Sequence, residues 1–216
     1  MPTDFHRVIA IDGPAASGKS SVARELARRL GFVYVNSGAI YRAITWYLLQ
    51  RGISPDDSAC VAQTVESAHI SCRLENNESR VWIDDVDPTK HLRDDPVNTA
   101  VSQVSTIPAV RAIATEKMRD YLRAHDIVAE GRDIGSVVFP NAFCKFYIDA
   151  SPEVRVRRRA AEGQQDEIAA RDRADSSRRA SPLIVASDAL VIDTSHLTIE
   201  EVIDKIVEHL KLKRFN

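Results

Sequence analysis

The sequence predicts an α/β domain of three layers around a central five-stranded parallel sheet. Three observations carry this reading: five short apolar runs, amphipathic helical stretches between them, and one segment that breaks the rhythm. The runs are Val8–Ile11, Phe32–Val35, Ile127–Ala129, Phe146–Ile148 and Leu190–Ile192, each continuous rather than alternating. Strands buried on both faces read this way, and parallel strands need helical crossovers between them.

The crossovers are legible in turn. Residues 19–30 put Val22, Ala23, Leu26, Ala27 and Leu30 on one face, and Gly31 is placed to end that helix in a left-handed turn. The last helix carries Ile199, Val202, Ile203, Ile206, Val207 and Leu210 at helical spacing, with Thr198 and Glu201 as a capping box. Between residues 70 and 83 the period changes. Ile70, Cys72 and Leu74 alternate with polar residues, Asn76-Asn77 supplies a turn, and Val81 and Ile83 alternate again. This predicts an antiparallel hairpin, too small for its own core and therefore an insert.

At 216 residues and 44% apolar content the chain makes one domain. Its 29 Lys plus Arg nearly balance 31 Asp plus Glu, so it lacks the positive field of a nucleic-acid-coating protein. No apolar run reaches the roughly 20 residues of a membrane span, and residues 1–7 do not read as a secretory leader. Cys60, Cys72 and Cys144 are odd in number and far apart, which predicts reduced thiols in the cytoplasm. No helix shows a surplus apolar stripe, so a monomer is expected. The six histidines show neither triad nor metal-ligand spacing.

Chemistry enters at Gly13-Pro14-Ala15-Ala16-Ser17-Gly18-Lys19-Ser20, which fits GxxxxGK[ST]. The motif follows an apolar strand and opens a helix, the context a phosphate-binding loop requires. Its backbone N–H groups would cradle phosphates at the helix N-terminus. Lys19 would reach the β- and γ-phosphates of a nucleoside triphosphate, and the Ser20 hydroxyl (or that of Ser21) would ligate Mg²⁺. The fold is accordingly expected to be that of the P-loop NTPases.

The window from Arg155 to Arg179 holds eight arginines, five acidic residues and no lysine. A charge run is usually a solvated helix face. Arginine's planar fork suits phosphate oxygens, however, and Arg171, Asp175 and Arg178 fall on one helical face. A lid of such cations would neutralise a transferring phosphoryl group and exclude water.

Further signatures follow in order: Asn36-Ser-Gly-Ala-Ile-Tyr-Arg42, Ser102-Gln-Val, Pro108-Ala-Val-Arg111, Glu130-Gly-Arg-Asp-Ile-Gly135, Val138-Phe-Pro140 and Arg171-Asp-Arg-Ala-Asp175-Ser-Ser-Arg178. Together with the phosphate loop they resemble the bacterial-type cytidylate kinases across nearly the whole chain. The hairpin resembles the extra β-structure that distinguishes that family. The resemblance implies transfer of the γ-phosphoryl group of ATP to CMP or dCMP with Mg²⁺. It implies that Ser102, Arg111 and Asp133 read the cytosine, and that Arg42, Arg132 and Arg178 hold the acceptor phosphate. Ser37, Arg171 and Asp175 would contact the ribose, while Arg155, Arg158 and Arg159 would line the ATP side of the lid. Lys19, Arg132 and Arg178 would be the catalytic cations. Glu130 could orient Mg²⁺-bound water. Ala174 stands where a relative can carry a further lid arginine.

The implied division is a core of about 1–60, 107–157 and 181–216, a nucleotide-binding insert of about 61–106, and a lid of about 158–180. The roles are chemically coherent. A carboxylate can accept from cytosine N4 and a guanidinium can donate to N3 and O2, whereas uracil reverses the first two. Two alternatives share the phosphate loop: a kinase for another small acceptor, such as UMP or a shikimate-like molecule, and a noncatalytic ATP-binding regulator. Asp133 with Arg111 separates the first, and Lys19, Arg132 and Arg178 speak against the second.

Overall fold

The computed structural model describes residues 6–161 and 183–213. Strand β1 (Val8–Asp12) is buried along its whole length and pairs in parallel with two neighbours, β5 (Ile127–Gly131) and β6 (Cys144–Asp149). Beyond β5 lies β2 (Val33–Asn36), and beyond β6 lies β7 (Leu190–Asp193), both parallel. These are the five strands expected from the apolar runs.

The sheet itself has seven strands, in the order β3-β4-β2-β5-β1-β6-β7. This corrects the expectation of five. The hairpin of β3 (Ile70–Glu75) and β4 (Glu78–Ile83) turns on Asn76 and Asn77, both in the left-handed region that a two-residue hairpin turn demands. It joins the main sheet through one parallel bridge, Tyr34 to Glu78, so the insert extends the sheet at its edge.

Helix α1 (Lys19–Leu30) buries Val22, Ala23, Leu26 and Ala27, and Gly31 closes it at φ 68°. Helix α2 (Ser37–Gln50) starts where the Asn36 side chain accepts from the Ala39 N–H. Helices α3 (Ser58–Ser67), α4 (Asp95–Val104) and α5 (Pro108–Leu122) follow, then α6 (Pro152–Ala161) and α7 (Ile199–Leu212). The capping box of Thr198 and Glu201 at the start of α7 is present.

The alternation of β1 shows why the layers form. Val8 and Ala10 point into a core shared with α2 and α5, while Ile9 and Ile11 point into one shared with α1 and α7. Among the described residues no helix is long and apolar enough to cross a membrane. From β1 the chain crosses to β2 on one side, and from β5 it crosses to β6 on the other side of β1; the crevice beyond the carboxyl ends at such a reversal is where open α/β sheets bind ligands.

Candidate active site

The loop Gly13–Ser20 leaves β1 at that crevice. At Gly13 an added Cβ would lie 2.0 Å from the Ile148 carbonyl oxygen, so the loop passes β6 too closely for any side chain. Ala16 is held at φ 58°, an uncommon conformation for a residue with a Cβ, and Gly18 caps α1 at φ 91°. Lys19 is buried, and its Nζ donates to the Pro14 carbonyl oxygen at 3.0 Å across the loop. The α1 N-terminal amides and the Lys19 ammonium therefore converge on one concavity.

Opposite them stands Glu130, at the end of β5 and 3% exposed. The Ser20 hydroxyl donates to Glu130 Oε1 at 2.7 Å, and the Tyr34 hydroxyl donates to the same oxygen at 3.0 Å. Asn36 Nδ2 in turn donates to the Tyr34 oxygen at 3.1 Å. Burial, with the neighbouring Glu130 charge, pushes the Tyr34 phenol well above its ordinary range and keeps it a donor. A hydroxyl beside a carboxylate is a hard-oxygen donor pair, the chemistry that suits Mg²⁺. Among the described residues no group of three His, Cys, Asp or Glu could hold a metal alone. A cation at Ser20 would therefore draw its other ligands from phosphates and water.

The concavity opens into a cavity of about 300 Å³ lined by Lys19, Ser20, Ser21, Ser37, Arg42, Ser102, Glu130, Arg132, Asp133 and Arg159. Residues from α1, α2, α4, β5 and α6 are thus brought together around one cavity. Gly131 is needed beneath it, since a Cβ there would meet Ser37 Oγ at 2.4 Å. Arg111 is placed differently. Its guanidinium lies just behind the cavity wall, donating to the Asp133 carboxylate and to the Ser105 carbonyl and lying near the Tyr41 ring, three residues that line the cavity. Arg93 and Asn98 also line the cavity, and no sequence motif pointed to them.

Arg155 and Arg158 grip the phosphate loop from outside. Arg155 donates to the Ala15 carbonyl at 3.3 Å and to the Ala150 carbonyl at 3.1 Å. Arg158 donates to the Ser17 carbonyl at 3.0 Å and to the Thr194 carbonyl at 2.8 Å. Arg171, Asp175 and Arg178 lie outside the described residues.

A residue just outside the cavity also escaped the sequence reading. Asp12 ends β1, and its carboxylate accepts from the Ile134 and Gly135 amides, each at 2.8 Å. Burial pushes it up to about 6 despite those two bonds. Its only signal in the sequence is a carboxylate closing a strand that is otherwise wholly apolar.

Comparison with known proteins places this geometry. The family model described as cytidylate kinase matches residues 9–212. A cytidylate kinase of Bdellovibrio bacteriovorus is 43% identical over 213 residues, covering 95% of this chain and 98% of the relative. One from Caldanaerobacter subterraneus subsp. tengcongensis is 41% identical over 214 residues, covering 94% of each. The solved structure of TT1252 from Thermus thermophilus shares the fold at a TM-score of 0.50 and 20% identity, over 96% of this chain and 99% of that one. With a phosphate loop facing a buried carboxylate and the matching motifs in order, the chain belongs to the cytidylate kinase family.

Proposed function

We propose that the protein transfers the γ-phosphoryl group of ATP to CMP or dCMP, giving ADP and CDP or dCDP. The observation that carries this reading is one cavity running from the phosphate loop at Lys19 and Ser20 to Asp133 backed by Arg111. The two ends carry different chemistry. One offers amides and an ammonium for a polyphosphate, and the other offers a buried carboxylate and guanidinium for a base with a donor beside an acceptor.

The acceptor phosphate has its second pKa near 6, so its oxygen is already a nucleophile at neutral pH and needs no general base. That oxygen forms a bond to the γ-phosphorus as the bond to the β–γ bridging oxygen breaks, and ADP leaves with the electron pair. Lys19 stabilises charge on the transferring group, while Arg42 and Arg132 hold the acceptor phosphate in line. Ser37 orients the ribose, and Ser102 adds a hydroxyl at the base. Ser20 would hold Mg²⁺, with Glu130 beside it to orient the ion's water, and the ion would supply positive charge to the phosphates. Ser20 suits this better than Ser21 because it already bonds Glu130. Arg155 and Arg158 act through the phosphate loop, and Arg159 reaches the cavity itself.

The roles of Arg171 and Asp175 at the ribose, and of Arg178 beside Arg132, rest on the sequence motif, as do the lid of about 158–180 and the insert of about 61–106. A monomer in the cytoplasm completes the reading, and three free cysteines fit that compartment. The test is ADP release with CMP, dCMP, UMP, AMP and shikimate under identical conditions. CMP or dCMP is expected to be preferred, and preference for any other acceptor overturns the reading.

A further inference from the structure

Asp12 does not line the cavity, yet it touches both halves of the site through the backbone. Gly13, the next residue, begins the phosphate loop. Its two hydrogen-bond donors open a single π-helical turn, Ile134–Val138, that immediately follows Arg132 and Asp133. The first amides of any helical turn lack intrahelical partners. Here they are capped by a carboxylate 122 and 123 residues away in sequence, delivered by the neighbouring strand. Asp12 stands opposite Gly131 in the β1–β5 register, so the chain leaves the sheet beside it just before Arg132 and Asp133.

We propose that Asp12 is a positioning residue: by pinning the Ile134 and Gly135 amides to the base of the phosphate loop, it sets the direction of Arg132 and Asp133 towards the acceptor nucleotide. The inference rests on the functional reading above, which makes those two residues the contacts to acceptor phosphate and base. Two observations support it. Gly135 is packed between the Asp12 carboxylate and the Lys145 stem, since a Cβ there would touch Asp12 Oδ2 at 3.4 Å and press on Lys145 Cδ at 3.1 Å. Burial also raises the carboxyl to about 6, so the fold holds an ionised group there at neutral pH at a cost in stability. A capping role alone could be met by a neutral side chain without that cost.

The test is Asp12→Asn in the full chain. Asn keeps the volume and one acceptor but turns an N–H towards the second amide. The expected result is a KM for CMP raised tenfold or more and a CMP-over-UMP ratio of kcat/KM lowered at least fivefold, with the KM for ATP within twofold. Parallel rises in both KM values, or an unchanged CMP-over-UMP ratio, overturn the proposal and leave Asp12 a general prop of the fold. If the unmodified chain shows no preference for CMP over UMP, the functional reading fails and this inference falls with it. If the unmodified chain prefers CMP and the Asn variant keeps that ratio, the inference alone fails. Should Asp12→Asn not fold, amide proton shifts of Ile134 and Gly135 in the unmodified chain provide the readout. CMP without ATP is expected to move both more than UMP does, and equal or absent responses overturn the proposal.

Discussion

Arg111 donates to the Asp133 carboxylate inside the protein, and both side chains are nearly closed to solvent. The pair therefore serves two ends at once. It neutralises two charges that could not be buried singly, and it leaves the carboxylate at the cavity wall with Arg111 fixed behind it.

Removing Asp133 consequently has a stability effect that must be separated from its effect on selectivity. Asp133→Ala leaves the guanidinium buried with the Ser105 carbonyl as a remaining acceptor, and an orphaned buried charge costs about 3–5 kcal/mol. Asp133→Asn keeps the volume and an acceptor for Arg111. Urea unfolding is expected to show the larger loss for Ala, while both variants lower the CMP-over-UMP ratio of kcat/KM by about tenfold or more. A ratio unchanged in Asp133→Asn would make the residue a structural partner of Arg111 and nothing more.

The raised Asp12 carboxyl makes a prediction about pH. Its folded-state value is about 6 against an ordinary 3.8, so between those values the folded protein holds a proton that the unfolded chain has released. This contribution to stability is present below about pH 4 and is lost as pH rises through 6, by roughly 3 kcal/mol at one pKa unit per ~1.4 kcal/mol. Carboxylates lowered by partners, such as Asp126 with Arg7, push the whole chain in the opposite direction. The difference between the unmodified protein and Asp12→Asn isolates the effect. Chemical unfolding at pH 4.5 and 7.5 is expected to favour the Asn variant progressively as pH rises; a difference that does not change with pH would remove the assignment of a raised carboxyl.

Those two residues also mark what was legible in advance. Asp133 sat in a recognisable motif, and the five parallel strands announced themselves because burial on both faces makes them continuously apolar. The hairpin was legible from its alternation and its Asn76-Asn77 turn. Its union with the main sheet was not, because a single bridge from Tyr34 to Glu78 leaves no trace in periodicity. Asp12 escaped because its partners are backbone amides more than 120 residues away, and a backbone amide has no residue identity to read. Arg155 and Arg158 were legible as part of an arginine-rich window. That they grip the Ala15 and Ser17 carbonyls depends on the rotation of α6 against the loop, which spacing alone does not determine.

Lys19 is held across the phosphate loop by the Pro14 carbonyl, so its ammonium is positioned before any nucleotide arrives. Lys19→Met retains the aliphatic stem and deletes the charge. Losing one preorganised donor to a transition state lowers kcat by about 10²–10³. That loss is expected here, with a thermal midpoint close to that of the unmodified protein. Turnover within a few-fold of normal would detach Lys19 from the transferring phosphoryl group.

Glu130 is the acceptor on which two hydroxyls converge, Ser20 at 2.7 Å and Tyr34 at 3.0 Å. If it orients water on a cation held by Ser20, its charge matters at the metal more than at either nucleotide. Glu130→Gln preserves shape and an acceptor oxygen while removing the charge. The Mg²⁺ concentration for half-maximal rate is expected to rise by about 10–100-fold, the usual penalty for losing an outer-shell partner. Excess Mg²⁺ should then recover most of the rate, and chelation should abolish it in both proteins. A metal requirement that stays unchanged in Glu130→Gln, with KM for CMP altered instead, would move Glu130 from the cation to the acceptor side of the cavity.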